Sequence, residues 1–306
     1  MDIDQIETFL AIAQTGSFTG ARSRVHRSQP AISRRLALLE AELGALLFER
    51  DATGVRLTDV GRAFLPHAER LLAALRDGKA AGRAEVADHA GSVSLAVVGT
   101  FVDRPFAQLL RRFSRGASQA RLRILAAQSD VISQLVRRGE ATLGVRYFED
   151  TQPDLVNQPL GLEEMVVVAA PTYKPGQAEP QQWIGFPERE SKADFGRLLR
   201  RQLLTAGLGR ADIMEVDSLS GQKRLVEAGF GLALLPRSFL SEELAAKSLS
   251  VIFMPEIATT VPVALLQRRG GYLSPAAKEL IELLVRDWGN QVLTVPKARR
   301  PRSGRR

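Results

Sequence analysis

The chain has 306 residues, no cysteine, a hydrophobic fraction of 45% and a formal charge of +8 at neutral pH. That length accommodates two or three domains with a substantial core, and the lack of cysteine excludes disulfides, thiolate redox chemistry and cysteine-ligated metals. The last ten residues, KARRPRSGRR, carry six Lys or Arg and no acid, so the rest nets only +2 and its basic character is local.

From the N-terminus, Ile6, Phe9, Leu10 and Ala13 recur at helical spacing over 4–14, and Gly16-Ser17 ends that helix. A second short helix covers 18–25. A third opens at Ser28, a fitting N-cap, with Pro30 in its first turn and Ile32, Leu36 and Leu39 facing inward, and Gly44 closes it. No acid occurs between Glu7 and Glu40, whereas Arg22, Arg24, Arg27, Arg34 and Arg35 all fall there. Two extended pieces around Ala52-Thr53-Gly54 read as a hairpin wing. Three helices and a wing form a winged helix-turn-helix, a layout that reads a DNA major groove.

From Thr58, a possible cap, one long helix is expected to about His89. Phe64, Ala68, Leu71 and Leu75 give it a narrow 4-3-4 seam suited to pairing with a second copy, and Gly78 and Gly82 weaken its later turns as a joint. Over 91–290, the segments SVSLAVVG, RLRILAA, ATLGVRY, EMVVVAAP and VPVALLQ read as strands. They alternate with the helical RPFAQLLRRF, VISQLVRRG, FGRLLRRQLLTAG, SGQKRLVEAG and SPAAKELIELLVRDWG, which implies α/β architecture with mainly parallel sheets.

The histidines, His26, His67 and His89, are far apart and lack metal-ligand spacing, so neither metal nor cofactor is expected. No Ser/His/Asp constellation or phosphate loop supports an enzyme, and Gly229-Phe230-Gly231 is too short for a nucleotide fingerprint. No run of about 18 apolar residues argues for a membrane span. The acidic start MDIDQIETFL enters a helix directly, unlike a secretory signal, so a cytoplasmic location is expected.

The motifs FLAIAQTGSFTGAR, SQPAISRRLALLEAELGALLFER, RLTDVG and LVEAGFGLALLP, in this order, resemble the LysR-type transcriptional regulators over nearly the whole chain. The resemblance implies a helix-rich winged helix-turn-helix over 1–58, a dimerising linker helix over 59–89 and a two-lobed α/β effector domain over 90–295. That domain would resemble the periplasmic binding proteins, with lobe I over 91–163 and 267–292 and lobe II over 164–266. A basic tail, 296–306, has the composition of a disordered segment that adds salt-dependent DNA affinity or is simply solvated. Gly20 stands where the family usually has alanine, at about 1 kcal/mol of helix propensity.

At the groove, Gln29 offers paired hydrogen bonds to adenine, Pro30 an apolar face for a thymine methyl, and Arg34 a reach to guanine or phosphate. Ser28 and Ser33 suit phosphates, and Arg50 and Arg56 flank the wing to track the neighbouring backbone. The plainer alternative makes the serines caps and the arginines a solvated face. A homodimer, or the family's usual homotetramer, would read an interrupted inverted repeat in double-stranded DNA.

In open α/β lobes, ligands meet helix N-termini at the carboxyl ends of strands. Thr100, Ser129 and Arg146 from one lobe and Ser218 from the other fit this, and together favour a small anion such as a carboxylate as effector. Ser129 and Ser218 equally suit N-caps, Arg146 equally suits a pair with Glu149 or Asp150, and Trp183, Phe186 and Phe195 suit lining or core. Activation and repression are equally compatible with these residues. Alternatives are a solute-binding module, a DNA-binding protein without an effector, or an architectural DNA protein that relies on the tail.

Overall fold

A computed structural model describes residues 1–51, 54–87, 91–116, 120–174, 182–188 and 194–288. The wing-tip residues Ala52 and Thr53, the side chain of Arg50, His89 and the basic tail 296–306 lie outside the described residues.

The N-terminal unit comprises α1 (Ile3–Thr15), α2 (Phe18–Val25) and α3 (Gln29–Leu43), then a wing of β1 (Phe48–Asp51) and β2 (Gly54–Leu57). Asp2 and Gln5 form a reciprocal capping box at the start of α1, and Gly16 ends it in the left-handed region. Ser17 caps α2 through the Gly20 N–H. A methyl at residue 20 would lie 2.8 Å from Thr15 Cβ, so glycine fits this corner where alanine would crowd it. Antiparallel pairing of the wing sets Glu49 opposite Arg56, and the Val55 N–H bonds to Gly16 O at 3.3 Å.

The long helix α4 runs from Asp59 to Ala87 and continues through Gly78 and Gly82. Thr58 does cap it, accepting from the Gly61 N–H at 3.0 Å. The proposed 4-3-4 seam requires correction. Ala68 is buried, and Phe64 and Leu75 pack against the core of their own N-terminal unit, joined by Leu72. Only Leu71 of the four remains exposed. Phe64 meets Phe9 edge-on, with centroids 5.2 Å apart, and Phe9 meets Phe48 of the wing at 5.3 Å. Helical spacing identifies an apolar stripe but does not say whether the covering surface belongs to the same chain. The adjacent stripe, Val60, Ala63, His67, Leu71, Ala74 and Gly78, is the exposed one.

The remaining strands form one nine-stranded sheet in the order β4-β3-β5-β11-β6-β9-β7-β8, with β10 added on β6. Lobe I contributes β3 (Ser92–Val98), β4 (Arg121–Ala127) and β5 (Leu143–Tyr147), with α5 (Arg104–Gly116) and α6 (Ser129–Arg137) between them. Lobe II contributes β7 (Trp183–Gly185), β8 (Ile213–Glu215) and β9 (Leu232–Pro236), with α7 (Phe195–Thr205) and α8 (Leu219–Glu227). These strands pair in parallel within each lobe.

Between the lobes run the two longest strands, β6 (Leu155–Ala169) and β11 (Thr259–Arg268), antiparallel to each other and to their neighbours. The sheet is therefore mixed rather than mainly parallel. A register shift between Val263 and Ala264 marks the crossing, and β11 joins β5 from Val263, a few residues ahead of the expected return to lobe I at 267. The short strand β10 (Ser250–Ile252) pairs with β6, and α9 (Ser241–Ala246) precedes it. α10 (Pro275–Leu283) and a π-turn over Leu284–Trp288 pack back on lobe I, where Trp288 meets Phe101 and Phe106 edge-on.

A Cβ at Gly61 would lie 2.1 Å from Leu47 O, so the start of α4 sits on the wing only because this residue has no side chain. Gly61→Ala is expected to cost about 1–3 kcal/mol. Gly82→Ala, with nothing within 4 Å of the added methyl, is expected to be neutral or stabilising. Thermal unfolding of the two variants checks both signs.

Candidate nucleic-acid interface and interlobe cleft

Hydrophobic periodicity fixes which face of α3 is inside: Ile32, Leu36 and Leu39 are buried, and Ser28, Gln29, Pro30, Ser33 and Arg34 are all exposed on the opposite side of its first two turns. Ser28 holds the N-cap position in extended backbone, but its hydroxyl makes no cap bond, so the expected capping role is not filled. Arg35 turns away from this face to pair with Asp4 at 2.5 Å and ties α3 to α1. Arg56 is exposed on the second wing strand. The result is a convex polar face with one guanidinium on α3, flanked by the wing. Its shape and donor set suit insertion into a groove.

The second site is a cleft of about 940 Å³ between the lobes. All four residues expected there line it: Thr100, Ser129, Arg146 and Ser218. Thr100 lies in a 3₁₀ turn after β3 and shares a hydrogen bond of 3.1 Å with the Tyr147 hydroxyl. Burial, reinforced by the nearby Glu163 carboxylate, pushes the Tyr147 phenol well above its usual range and keeps it neutral. Ser218 does cap α8, through a long 3.4 Å bond from the Gly221 N–H. Ser129, by contrast, is the first residue of α6; Gln128 takes the N-cap position, without a side-chain bond to the helix. The first-turn amides of α6 therefore open towards the cleft without a side-chain cap.

Arg146 is buried and substantially committed. Its Nη1 donates to Asp150 and to Ser133 Oγ, both at 2.6 Å, and its Nε donates to Tyr147 O at 3.0 Å. The partner is thus Asp150, not Glu149. Burial draws the guanidinium below its ordinary value, and the Asp150 charge acts against that. Arg146 anchors α6 to the sheet as much as it faces the cleft.

Two lining residues, Phe148 and Phe239, carried no clear signal in the chain. Phe148 has φ +60°, a strained conformation for a bulky side chain, and its N–H bonds to Pro262 O at 2.7 Å on the crossing strand. That turn sets its ring 5.3 Å from Phe195, which in turn stacks on Phe186 at 5.7 Å. Phe186 and Phe195 therefore line the cleft, whereas Trp183 is wholly buried core. Phe239 and Gln128 also line it, and Gln128 Nε2 reaches across to Asp217 O at 3.1 Å. A bulky residue directly after a strand-end Arg-Tyr pair was the visible hint for Phe148; its positive φ was not. Among the described residues no group of three His, Cys, Asp or Glu is placed to hold a metal ion, and no helix is long and apolar enough to cross a membrane.

Comparison with known proteins gives two family-model matches: "Bacterial regulatory helix-turn-helix protein, lysR family" over residues 3–62, and "LysR substrate binding domain" over residues 87–289. The chain is 28% identical over 275 residues to the HTH-type transcriptional regulator TfdS of Cupriavidus pinatubonensis, covering 87% of this chain and 92% of that one. Among solved structures, full-length CbnR complexed with its target DNA superposes with a TM-score of 0.60 at 24% identity, covering 94% and 100% of the chains. LysG from Corynebacterium glutamicum with bound effector Arg gives 0.59 at 21%, covering 96% and 99%. At these identities, the structural likeness is one of fold.

Two experiments separate the roles assigned here. Arg34→Ala is expected to cost about 1–3 kcal/mol of duplex affinity and to relax preference at one position of the site. Arg35→Ala is expected to lower stability while leaving base preference intact; thermal unfolding and binding-site selection on both variants compare them. Arg146→Ala leaves Asp150 without its partner, so it is expected to lose about 3–5 kcal/mol of stability. An unchanged urea midpoint would remove the structural role assigned to the Arg146–Asp150 pair.

Proposed function

The chain belongs to the LysR family of transcriptional regulators, and from that premise we propose that it reads an interrupted inverted repeat in double-stranded DNA under the control of a small carboxylate effector. The observation that carries this reading is the exposed face of Ser28, Gln29, Pro30, Ser33 and Arg34, in a chain whose other half encloses a two-lobed cleft. Gln29 and Arg34 are the base readers, Pro30 meets a thymine methyl, and Ser28, Ser33, Arg50 and Arg56 contact phosphates.

A single winged helix covers only a few base pairs, so two copies are required for useful specificity. The exposed stripe of α4, with Ala63, Ala74 and Gly78 among Val60, His67 and Leu71, supports a homodimer through close helix approach. The family's homotetramer would follow by pairing of dimers.

In the cleft, the first-turn amides of α6, with Thr100, Ser129 and Ser218, form the seat for a carboxylate. Phe148, Phe186 and Phe195 offer an aromatic wall for an apolar body. Because Arg146 is already paired with Asp150, amide and hydroxyl donors supply most of the recognition. The LysG structure with its bound Arg is an example of this fold holding a carboxylate-bearing effector. Effector binding would alter lobe spacing and thereby the placement of the two DNA-reading helices.

Selection of genomic fragments by the purified chain at near-physiological salt tests the reading. A discrete interrupted palindrome is expected, and its preference at one position in each half-site should relax in Gln29→Ala. Diffuse enrichment without a motif would overturn it.

A further inference from the structure

α6 begins in the cleft and ends on the long helix α4. Its first turn lines the cleft through Gln128, Ser129 and Asp130, and the Gln128–Asp217 bond joins it to lobe II. Midway, Ser133 receives the Arg146 hydrogen bond. Nine residues make a rod of about 14 Å. At its far end Arg138 Nε donates to Glu69 Oε1 at 2.8 Å, and these two side chains are only 20% and 8% exposed. Arg76 of α4 donates through Nη1 to the Arg138 carbonyl. Gly139, at φ +65°, lets the backbone close on α4: a Cβ there would lie 3.3 Å from Ala73 Cα.

A second tether lies beside the first. Arg268, the last residue of β11, donates through Nη2 to both Asp77 oxygens at 2.6 Å, and the Tyr272 N–H bonds to the same carboxylate at 3.2 Å.

We infer that Arg138 and Glu69 are positioning residues that transmit the state of the cleft through α6 to α4, and so to α3. The inference rests on the reading of the cleft as the effector site. Ile132 and Val136 bury one face of α6 against the sheet, and Arg146 holds Ser133 to it, so a change in lobe spacing at Gln128 carries α6 along with lobe I and displaces Arg138. A largely buried, charge-assisted pair is costly to break, and α4 follows it. Phe64, packed on Phe9, carries that motion into the DNA-reading unit.

The test is a double-mutant cycle on the full chain, with Gln128→Ala at the cleft end, Glu69→Gln at the linker end, and the two combined. Affinity for the duplex that the wild-type chain selects is one readout; hydrogen–deuterium exchange over 59–87 without DNA is the other. Removing a single hydrogen bond should shift the lobe equilibrium, and with it duplex affinity, by about two- to twelvefold. That shift, and a change in linker exchange, are expected in the wild-type background and should be clearly smaller in the Glu69→Gln background, where the Asp77 tether alone keeps its charged pair. Equal shifts in both backgrounds, or no response to Gln128→Ala in either readout, overturns the assignment. If Glu69→Gln does not fold, Arg138→Lys takes its place, since it keeps the charge but shortens the reach. If no discrete duplex is selected, the DNA reading fails separately and the exchange readout still decides the coupling.

Discussion

The antiparallel ladder between β6 and β11 joins what would otherwise be two separate parallel sheets. Its register runs from Leu155 opposite Arg268 to Met165 opposite Thr259, with one shift near the middle. β5 attaches to one strand of the ladder and β9 to the other, which places the lobes side by side with the cleft between them. Two contacts fix the crossing itself. Glu163, buried on β6, accepts from both the N–H and the hydroxyl of Ser238 in lobe II, at 3.0 and 2.8 Å. Phe148 of lobe I donates its N–H to Pro262. Burial raises the Glu163 carboxyl above its usual range, while the Ser238 bonds act against that.

What the chain disclosed in advance follows from the range of the forces involved. The exposed polar face of α3 was legible because a period of 3.6 separates Ile32, Leu36 and Leu39 from Ser33 and Arg34 without reference to anything distant. Thr100 and Ser129 were legible for a similar reason, since each follows an apolar run and precedes a helical one, whereas Ser218 was legible only from the helical run after it. The antiparallel centre of the sheet was not legible. A strand buried on both faces looks alike whichever way its neighbours run. Three-residue strands such as β7 and β8 give too little pattern to register at all.

The linker seam failed for a different reason. Phe64, Ala68 and Leu75 do form an apolar stripe, but α1 and the wing cover it. Arg146 is a related case, because two acids follow it closely in sequence and only the β5 end decides which one it meets. In both cases the residue type was read correctly and the partner was set by tertiary geometry. The two readings kept open for Arg146 turn out to be compatible: it pairs with Asp150 and also borders the cleft.

The covered stripe has a mechanical consequence that an intermolecular seam would lack. With Phe9 between Phe48 and Phe64, the wing, α1 and the first turns of α4 share one core, and such packing does not deform gradually. α3, whose Ile32, Leu36 and Leu39 belong to the same core, is thereby packed as one unit with the start of α4. α4 in turn is held to lobe I by charged pairs, Glu69–Arg138 and Asp77–Arg268, whose strength depends on orientation and separation. α4 thus has apolar packing on the side of the N-terminal unit and directional ion pairs on the side of lobe I. An apolar contact at Glu69 would hold the helix equally well, but it would tolerate sliding and lose the directional link to α6.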